Sequence, residues 1–445
     1  MADLPVSEAA GAATRALRWV AASAVPAEGG LAWPPTREPG QEPSDDLYYG
    51  AAGVLVAFAE ARLSGITEFD GTARAAAGRL RHVAAATARA LRAGDSAVLA
   101  GTGPALYSGV AGHAVALRIW ADVTGDVEAA DTAGDVAAAI AAAAAAGSRL
   151  SEFNDLLIGE AGILLVLLRL GRPEESRAAA VIADRLVALA DWTDGGPAWR
   201  ARESIGYEMP NFSHGAAGIG FALATAAIAL ERPDLLTVAQ ATGERLARLG
   251  ARPDGTIAVP HSIPLRDPDA AISYGWCHGP CGTLRLFQLL EAADPGQGWA
   301  DRADASRQAV RRSGLPARPY PGFWDNLGQC CGTAGVGEMA LDYYQDTGQA
   351  AWLDWAGELA ADVLARSTAD ADGVRWSHTE HRISLPELPP SAGWMQGAAG
   401  IAGWLLRLAR VRRDAAARRL AWPDRPPGSD PVSPGAPAGT PASAG

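Results

Sequence analysis

Seven stretches of this chain are apolar nearly all round, and each follows the same short unit, Gly-x-x-Gly. Runs such as Gly162-Ile163-Leu164-Leu165-Val166-Leu167-Leu168 and Phe221-Ala222-Leu223-Ala224-Thr225-Ala226-Ala227 offer no polar face. A helix of that kind must be buried on every side. Between the runs lie segments such as Ala75 to Arg92 and Ala350 to Arg366, where spaced charges leave one apolar stripe. That period predicts amphipathic helices with one face in solvent.

The glycine pairs begin at Gly50, Gly109, Gly159, Gly215, Gly279, Gly332 and Gly397, so successive starts lie 50 to 65 residues apart. Each interval holds two helices and their loops, since an average helix is only ~11 residues long. Any single pair is trivial in a chain with 51 glycines. Seven at near-even spacing mark an internal repeat. The expected fold is therefore all-α: an α/α toroid of seven helical hairpins, with buried helices inside and amphipathic ones outside. Closure follows because an open solenoid would expose both ends of its inner layer. The glycines suit tight turns and close backbone packing. Residues 1–421 are expected to form this single domain. From Trp422 onward Pro, Gly, Ala and Ser dominate, and 422–445 read as a disordered tail unable to bury a core.

Composition narrows the function. With 49% hydrophobic and 20% charged residues the chain is that of a globular protein. It contains no Lys at all, every basic side chain other than His being Arg, which excludes Schiff-base and lysine-base enzymes. A net charge of -12 argues against nucleic acid and anionic membranes as partners, and Arg412, Arg413, Arg418 and Arg419 read as a solvated helix face. No stretch suits a membrane span, since the Ala141–Ala146 run ends at Gly147. The first residues lack the basic and apolar blocks of a secretion signal. A cytoplasmic location is the expectation.

Four cysteines, Cys277, Cys281, Cys330 and Cys331, share one 55-residue stretch. Adjacent Cys330 and Cys331 cannot easily bridge each other, and a cytosolic chain would be kept reduced. Metal or thiol chemistry is the better reading. Cys277 stands two residues before Gly279, and Cys330 and Cys331 stand immediately before Gly332. In a toroid, neighbouring repeats five and six would bring these thiols together at helix N-termini, which stabilise thiolates. Three sulfur ligands favour Zn2+ with a fourth position open to a reactant. Cys281 could be a fourth ligand of a closed structural site, or a small buried residue.

Trp276-Cys277-His278-Gly279, Cys330-Cys331-Gly332, Ser213-His214-Gly215 and Asp155 in Asn154-Asp155-Leu156-Leu157-Ile158-Gly159 resemble, in order and spacing, the motifs of the lanthionine synthetase C family. The resemblance spans residues 45 to 410. It implies a cyclase that adds peptide cysteine thiolates to dehydroalanine or dehydrobutyrine. Cys277, Cys330 and Cys331 would be the zinc ligands, with catalytic roles for His214, Asp155 and His278. The thiolate attacks the dehydro residue, and His214 protonates the resulting enolate, its unperturbed pKa suiting that task. Asp155 would orient His214 or serve as an ordinary helix-start carboxylate. His278 would be auxiliary or a hydrogen-bonding neighbour of the metal.

The chain departs from the family pattern at several places. Cys331 stands where His is usual, as in the Cys-Cys-Gly motif of some two-function lanthipeptide synthetases. His278 stands where Tyr is frequent, and Ser273 stands where Arg is expected. The Pro of the fifth glycine pair is shifted to Pro280, with Cys281 in its place. The partner would be a dehydrated precursor peptide, with a separate dehydratase supplying it, since no dehydratase region occurs in this sequence.

Two further readings remain open. An α/α-barrel glycosidase would need two acids at the mouth, where Asp155, Asp45 and Asp46 are the candidates. The other is a zinc protein that binds thiols or small peptides without turning them over. His82, His113, His261, His378 and His381 fall in no shared frame and read as structural or exposed.

Overall fold

A computed structural model of the chain describes residues 5–426 apart from 100–102, 173–174, 194, 201, 203–205, 266–271, 318–325 and 378–387. The helices, in chain order, are α1 (Val6–Ala21), α2 (Ala51–Leu63), α3 (Asp70–Arg92), the single turn α4 (Ser96–Leu99), α5 (Val110–Thr124), α6 (Val127–Ala145), α7 (Glu160–Leu170) and α8 (Ser176–Ala188). They continue with α9 (Ala216–Ala229), α10 (Pro233–Gly250), α11 (Pro280–Ala293), α12 (Trp299–Arg311), α13 (Thr333–Thr347), α14 (Ala350–Ala365) and α15 (Ala398–Arg413).

The helices that follow the glycine pairs, α2, α5, α7, α9, α11, α13 and α15, each pack against the next, and α15 returns to α2. They form a closed inner ring. The amphipathic helices α3, α6, α8, α10, α12 and α14 each back the inner helix that precedes them. The seventh inner helix, α15, is backed by α1, so the first and last described helices pair as the seventh hairpin. Among the described residues, three antiparallel β-hairpins follow outer helices: β1 (Val25–Ala27) with β2 (Gly30–Ala32), β3 (Asp191–Thr193) with β4 (Gly196–Ala198), and β5 (Thr368–Asp370) with β6 (Gly373–Arg375). Among the described residues, no helix is long and apolar enough to cross a membrane.

The repeat motif has a steric reason. A Cβ on any second glycine (Gly53, Gly112, Gly162, Gly218, Gly282, Gly335, Gly400) would lie 1.8–2.5 Å from the carbonyl oxygen of the residue six positions earlier. Only glycine lets the loop fold back so closely on its own helix. The loops are also joined to one another. Tyr48, Tyr107, Leu157, Ser213, Cys277, Cys330 and Met395 each stand two residues before a first glycine. The N–H of each donates to the carbonyl of the next, and Met395 donates back to Tyr48, at 2.9–3.1 Å throughout. This circle of seven backbone hydrogen bonds holds all the inner-helix N-termini at one end of the toroid.

Aromatic side chains fill the lumen beneath the circle. Tyr107 meets Trp276 across it with ring centroids 5.2 Å apart, Phe212 meets Trp276 at 5.8 Å, and Trp394 meets Trp422 at 5.5 Å. Trp422 opens the expected tail, and the structure corrects that boundary: Trp422 and Asp424 are buried, and Arg425 pairs with Glu338 at 3.1 Å. The packed chain therefore runs through Pro426. Residues 427–445 lie outside the described ones.

Further down the lumen an ionic network replaces the aromatic rings. Arg407 pairs with Glu338 and Asp342, Arg410 with Glu60, and Arg419 with Asp346. Arg407 and Glu60 are buried. Asp342, despite its burial, is held well below the usual carboxylate range by the Arg407, Arg425 and Arg419 charges. Buried charges survive only when paired, because desolvation is otherwise prohibitive.

Candidate active site

The circle of loops brings Cys277, Cys330 and Cys331 together. Cys277 and Cys330 are consecutive members of the circle, the N–H of one donating to the carbonyl of the other at 3.1 Å. Cys331 follows directly. The Cys277 and Cys331 sulfurs lie 3.1 Å apart, those of Cys331 and Cys330 3.4 Å, and all three fall within 4.8 Å of one another. All are free thiols.

Thiolates bound tetrahedrally at ~2.3 Å from zinc sit roughly 3.8 Å apart. The sulfurs stand somewhat closer together than that, and three thiols so grouped could hold a metal ion. The sulfurs also share charge among themselves. Burial pushes the Cys330 thiol up, but hydrogen bonds from Cys277, Cys331 and Tyr48 outweigh it and hold Cys330 well below the thiol range. Cys277 is pushed well up chiefly by its hydrogen bond to Cys330, and Cys331 by those to Cys277 and Cys330.

Cys281 stands apart. It is the second residue of α11, with its sulfur 3.5 Å from Met339 Sδ, and burial pushes its thiol up to about 12. It is a buried small residue outside the thiol cluster.

His214 occupies the position in repeat four that His278 and Cys331 occupy in repeats five and six, one residue before the first glycine. Its Nδ1 lies 2.9 Å from Asp155 Oδ2. The other Asp155 oxygen accepts the Ile158 N–H at 2.8 Å, and the carboxylate is fully buried. Asp155 thus both braces its own loop start and holds the His214 imidazole. Burial lowers the His214 pKa, but the charge and hydrogen bond of Asp155 overcome this and leave it above the usual histidine value. The His214 side chain keeps 24% of its surface exposed.

His278 lies between two other imidazoles, 5.6 Å from His214 and stacked on His261 at 4.1 Å with 21° between the planes. His261 gave no signal in the sequence, because its loop is delivered by tertiary contacts. Glu208 and Ile263 bridge it through paired backbone bonds, and Asn211 Nδ2 donates to the Pro260 and His261 carbonyls at 3.2 and 2.9 Å. His113 is buried in α5, His82 lies 3.6 Å from Glu28, and His378 and His381 fall outside the described residues. Ser273 is buried.

The acids at the inner-helix starts are each engaged. Asp45 takes a bidentate bond from Arg79, Asp46 caps the Tyr49 and Gly50 N–H groups, and Asp155 holds His214. Among the described residues the mouth thus presents thiols and imidazoles rather than a free pair of carboxylates.

The class defined here is a closed α/α toroid that carries a three-thiol cluster and a carboxylate-braced imidazole on one rim. The sequence matches the family described as Lanthionine synthetase C-like protein over residues 41–421, and the chain belongs to that family. No curated protein matches it in sequence. Among solved structures it is similar to a nisin cyclase at 15% identity and a TM-score of 0.60, over 81% of this chain and 88% of that one. A D-mannose isomerase is similar over 92% and 100% of the two chains, at 12% identity and a TM-score of 0.47. An unsaturated glucuronyl hydrolase from Bacillus sp. GL1 is similar over 68% and 85%, at 15% identity and 0.43. The likeness to nisin cyclase shows the shared fold.

Proposed function

We propose that the chain is a zinc-dependent lanthipeptide cyclase, closing thioether rings by adding a peptide cysteine to a dehydroalanine or dehydrobutyrine of the same peptide. The observation that carries this reading is the meeting of Cys277, Cys330 and Cys331 on the rim that also bears the Asp155-braced His214. When bound by these three sulfurs, zinc supplies a fourth position that keeps the substrate thiol ionised near neutral pH.

The rest is the work of side chains. Attack of the substrate sulfur on the β-carbon pushes the alkene electrons into the carbonyl, and the α-carbon must then gain a proton. His214 is the donor, since Asp155 favours its protonated form and fixes the ring through Nδ1, leaving Nε2 for the substrate. The proton taken from the thiol balances the one delivered, so the reaction is a net addition. His278 and His261 form the wall beside His214.

A synthetic peptide carrying one dehydroalanine and one cysteine a few residues apart tests the reading. Cyclisation leaves the mass unchanged and removes the free thiol, so thiol alkylation followed by mass spectrometry reports it. The wild-type chain should protect the peptide from alkylation, and the His214→Asn chain should not. A chain that binds zinc and the peptide yet leaves the thiol free would instead be a binding protein.

A further inference from the structure

A cavity of about 240 Å³ lies along the seam between hairpins five and six. The helix face from Cys281 to Gln288 of α11 lines one side of it, and the face from Met339 to Asp346 of α13 lines the other. The two faces meet near the start of α11, where the Cys281 and Met339 sulfurs approach to 3.5 Å. Further along both helices charged side chains form the wall, joined by Arg307 of α12 and by Arg419 and Arg425 from the C-terminal segment.

That wall holds more cations than anions. Among the described residues lining the cavity, Arg285, Arg307, Arg419 and Arg425 bring four guanidinium groups, and Asp342 and Asp346 bring two carboxylates. The other counter-ions, Asp304, Asp424 and Glu338, pair with these arginines from outside the lining.

Two of the arginines also have donors that the fold does not engage. Arg307 is 5% exposed and Arg419 8%. Arg307 Nη1 donates to Asp304 at 2.8 Å, yet its buried Nε meets no acceptor among the described residues. Arg419 directs Nε to Gln345 and Nη2 to Asp346, while its buried Nη1 makes no hydrogen bond and stands 3.8 Å from Asp342. The Tyr343 ring covers one face of the Arg307 guanidinium, with Cζ 3.7 Å from the ring centroid. Covered in this way, the group bonds through its edge, where Nε lies. A buried donor left unpaired is costly, and more so when it is charged.

We propose that this cavity is a binding site for a compact oxyanion, a phosphate or a carboxylate, held by the edges of Arg307 and Arg419. Either anion presents several acceptor oxygens to a planar fork of N–H donors, and bonds between ionised partners are the strong ones. Water would satisfy the donors but leave the excess positive charge of the wall uncompensated. The site is separate from the thiol rim and does not depend on the function proposed above.

Isothermal titration calorimetry of the full-length chain at constant ionic strength tests this, with inorganic phosphate in one arm and an N-acetylated glutamate amide, a model of a peptide carboxylate, in the other. One equivalent of at least one probe should bind, and the tighter of the two identifies the source as a free phosphate or a peptide side chain. Arg307→Gln should weaken binding about 10-fold or more, the loss expected for a charge-assisted hydrogen bond. Gln288→Glu, which adds a carboxylate to the wall, should abolish binding and serves if Arg307→Gln does not fold. Failure of both probes to bind the wild-type chain, or unchanged binding in the folded variants, overturns the proposal. Binding lost in Cys277→Ala but kept in both cavity variants would place the anion at the thiol cluster and overturns it as well.

Discussion

The carboxylate of Asp424 accepts the indole N–H of Trp276 at 2.8 Å, tying the last packed turn of the chain to the residue that precedes Cys277. The same oxygen lies 3.3 Å from the Tyr107 hydroxyl and 3.1 Å from Arg285 of α11. Asp424 thus ties Trp276, Tyr107 and Arg285 together beneath the loop that carries Cys277.

Removing that charge should be costly. Asp424→Asn leaves the buried Arg285 without its closest counter-ion, and breaking a buried pair typically costs about 3–5 kcal/mol. We expect a lower Tm, and a chain ended after Trp422 should melt below one ended after Pro426. Superimposable melting curves for the two truncations would show that Asp424 and Arg425 do not stabilise the fold.

The thiol cluster predicts metal stoichiometry. Cys277→Ala and Cys330→Ala should lose tightly bound zinc, measured by elemental analysis after dialysis. Cys331→His should retain one equivalent, because imidazole is an acceptable ligand. A neutral ring in place of a thiolate makes the ligand set a stronger acceptor. It lowers the substrate thiol's pKa further but leaves its sulfur less nucleophilic. Cys331→His should therefore cyclise more slowly, with an optimum at lower pH. Equal or faster turnover across the pH range would overturn the role given to the third thiolate.

Asp155 predicts a pH profile. Because it raises the His214 pKa above the ordinary value, the acid form persists to higher pH. Asp155→Asn removes that charge and leaves burial, which lowers the pKa, so the alkaline limb of kcat/KM should move to lower pH. General acids contribute about 10²–10⁴ in rate, and the loss should approach that range on the alkaline side and shrink as pH falls. A uniform loss at every pH would point to a purely structural Asp155.

Cys281 provides the contrast. Cys281→Ala should keep one equivalent of zinc and full turnover while lowering stability slightly, through its lost contact with Met339. Loss of metal would place Cys281 in the cluster after all.

The sequence alone determined the toroid, because a second glycine that must face a carbonyl and a helix that must be apolar all round are local demands repeated seven times. It also marked Cys277, Cys330, Cys331 and His214 as neighbours, since each sits one or two residues before the first glycine of a repeat, and equal offsets land on one rim. Other features were decided by tertiary structure. Helix α1 completes the last hairpin by packing on α15, from the opposite end of the fold's element order. His261 reaches His278 through a loop held by Glu208 and Asn211, whose partners lie about 50 residues away in sequence. The segment from Trp422 to Pro426 looks like the start of a tail because its composition is that of one. It is buried because Arg285, Trp276 and Tyr107 leave charge and hydrogen-bonding capacity in the lumen that Asp424 satisfies. Local sequence carries local conformation, whereas the partner of a buried polar group is known only once the chain has closed around it.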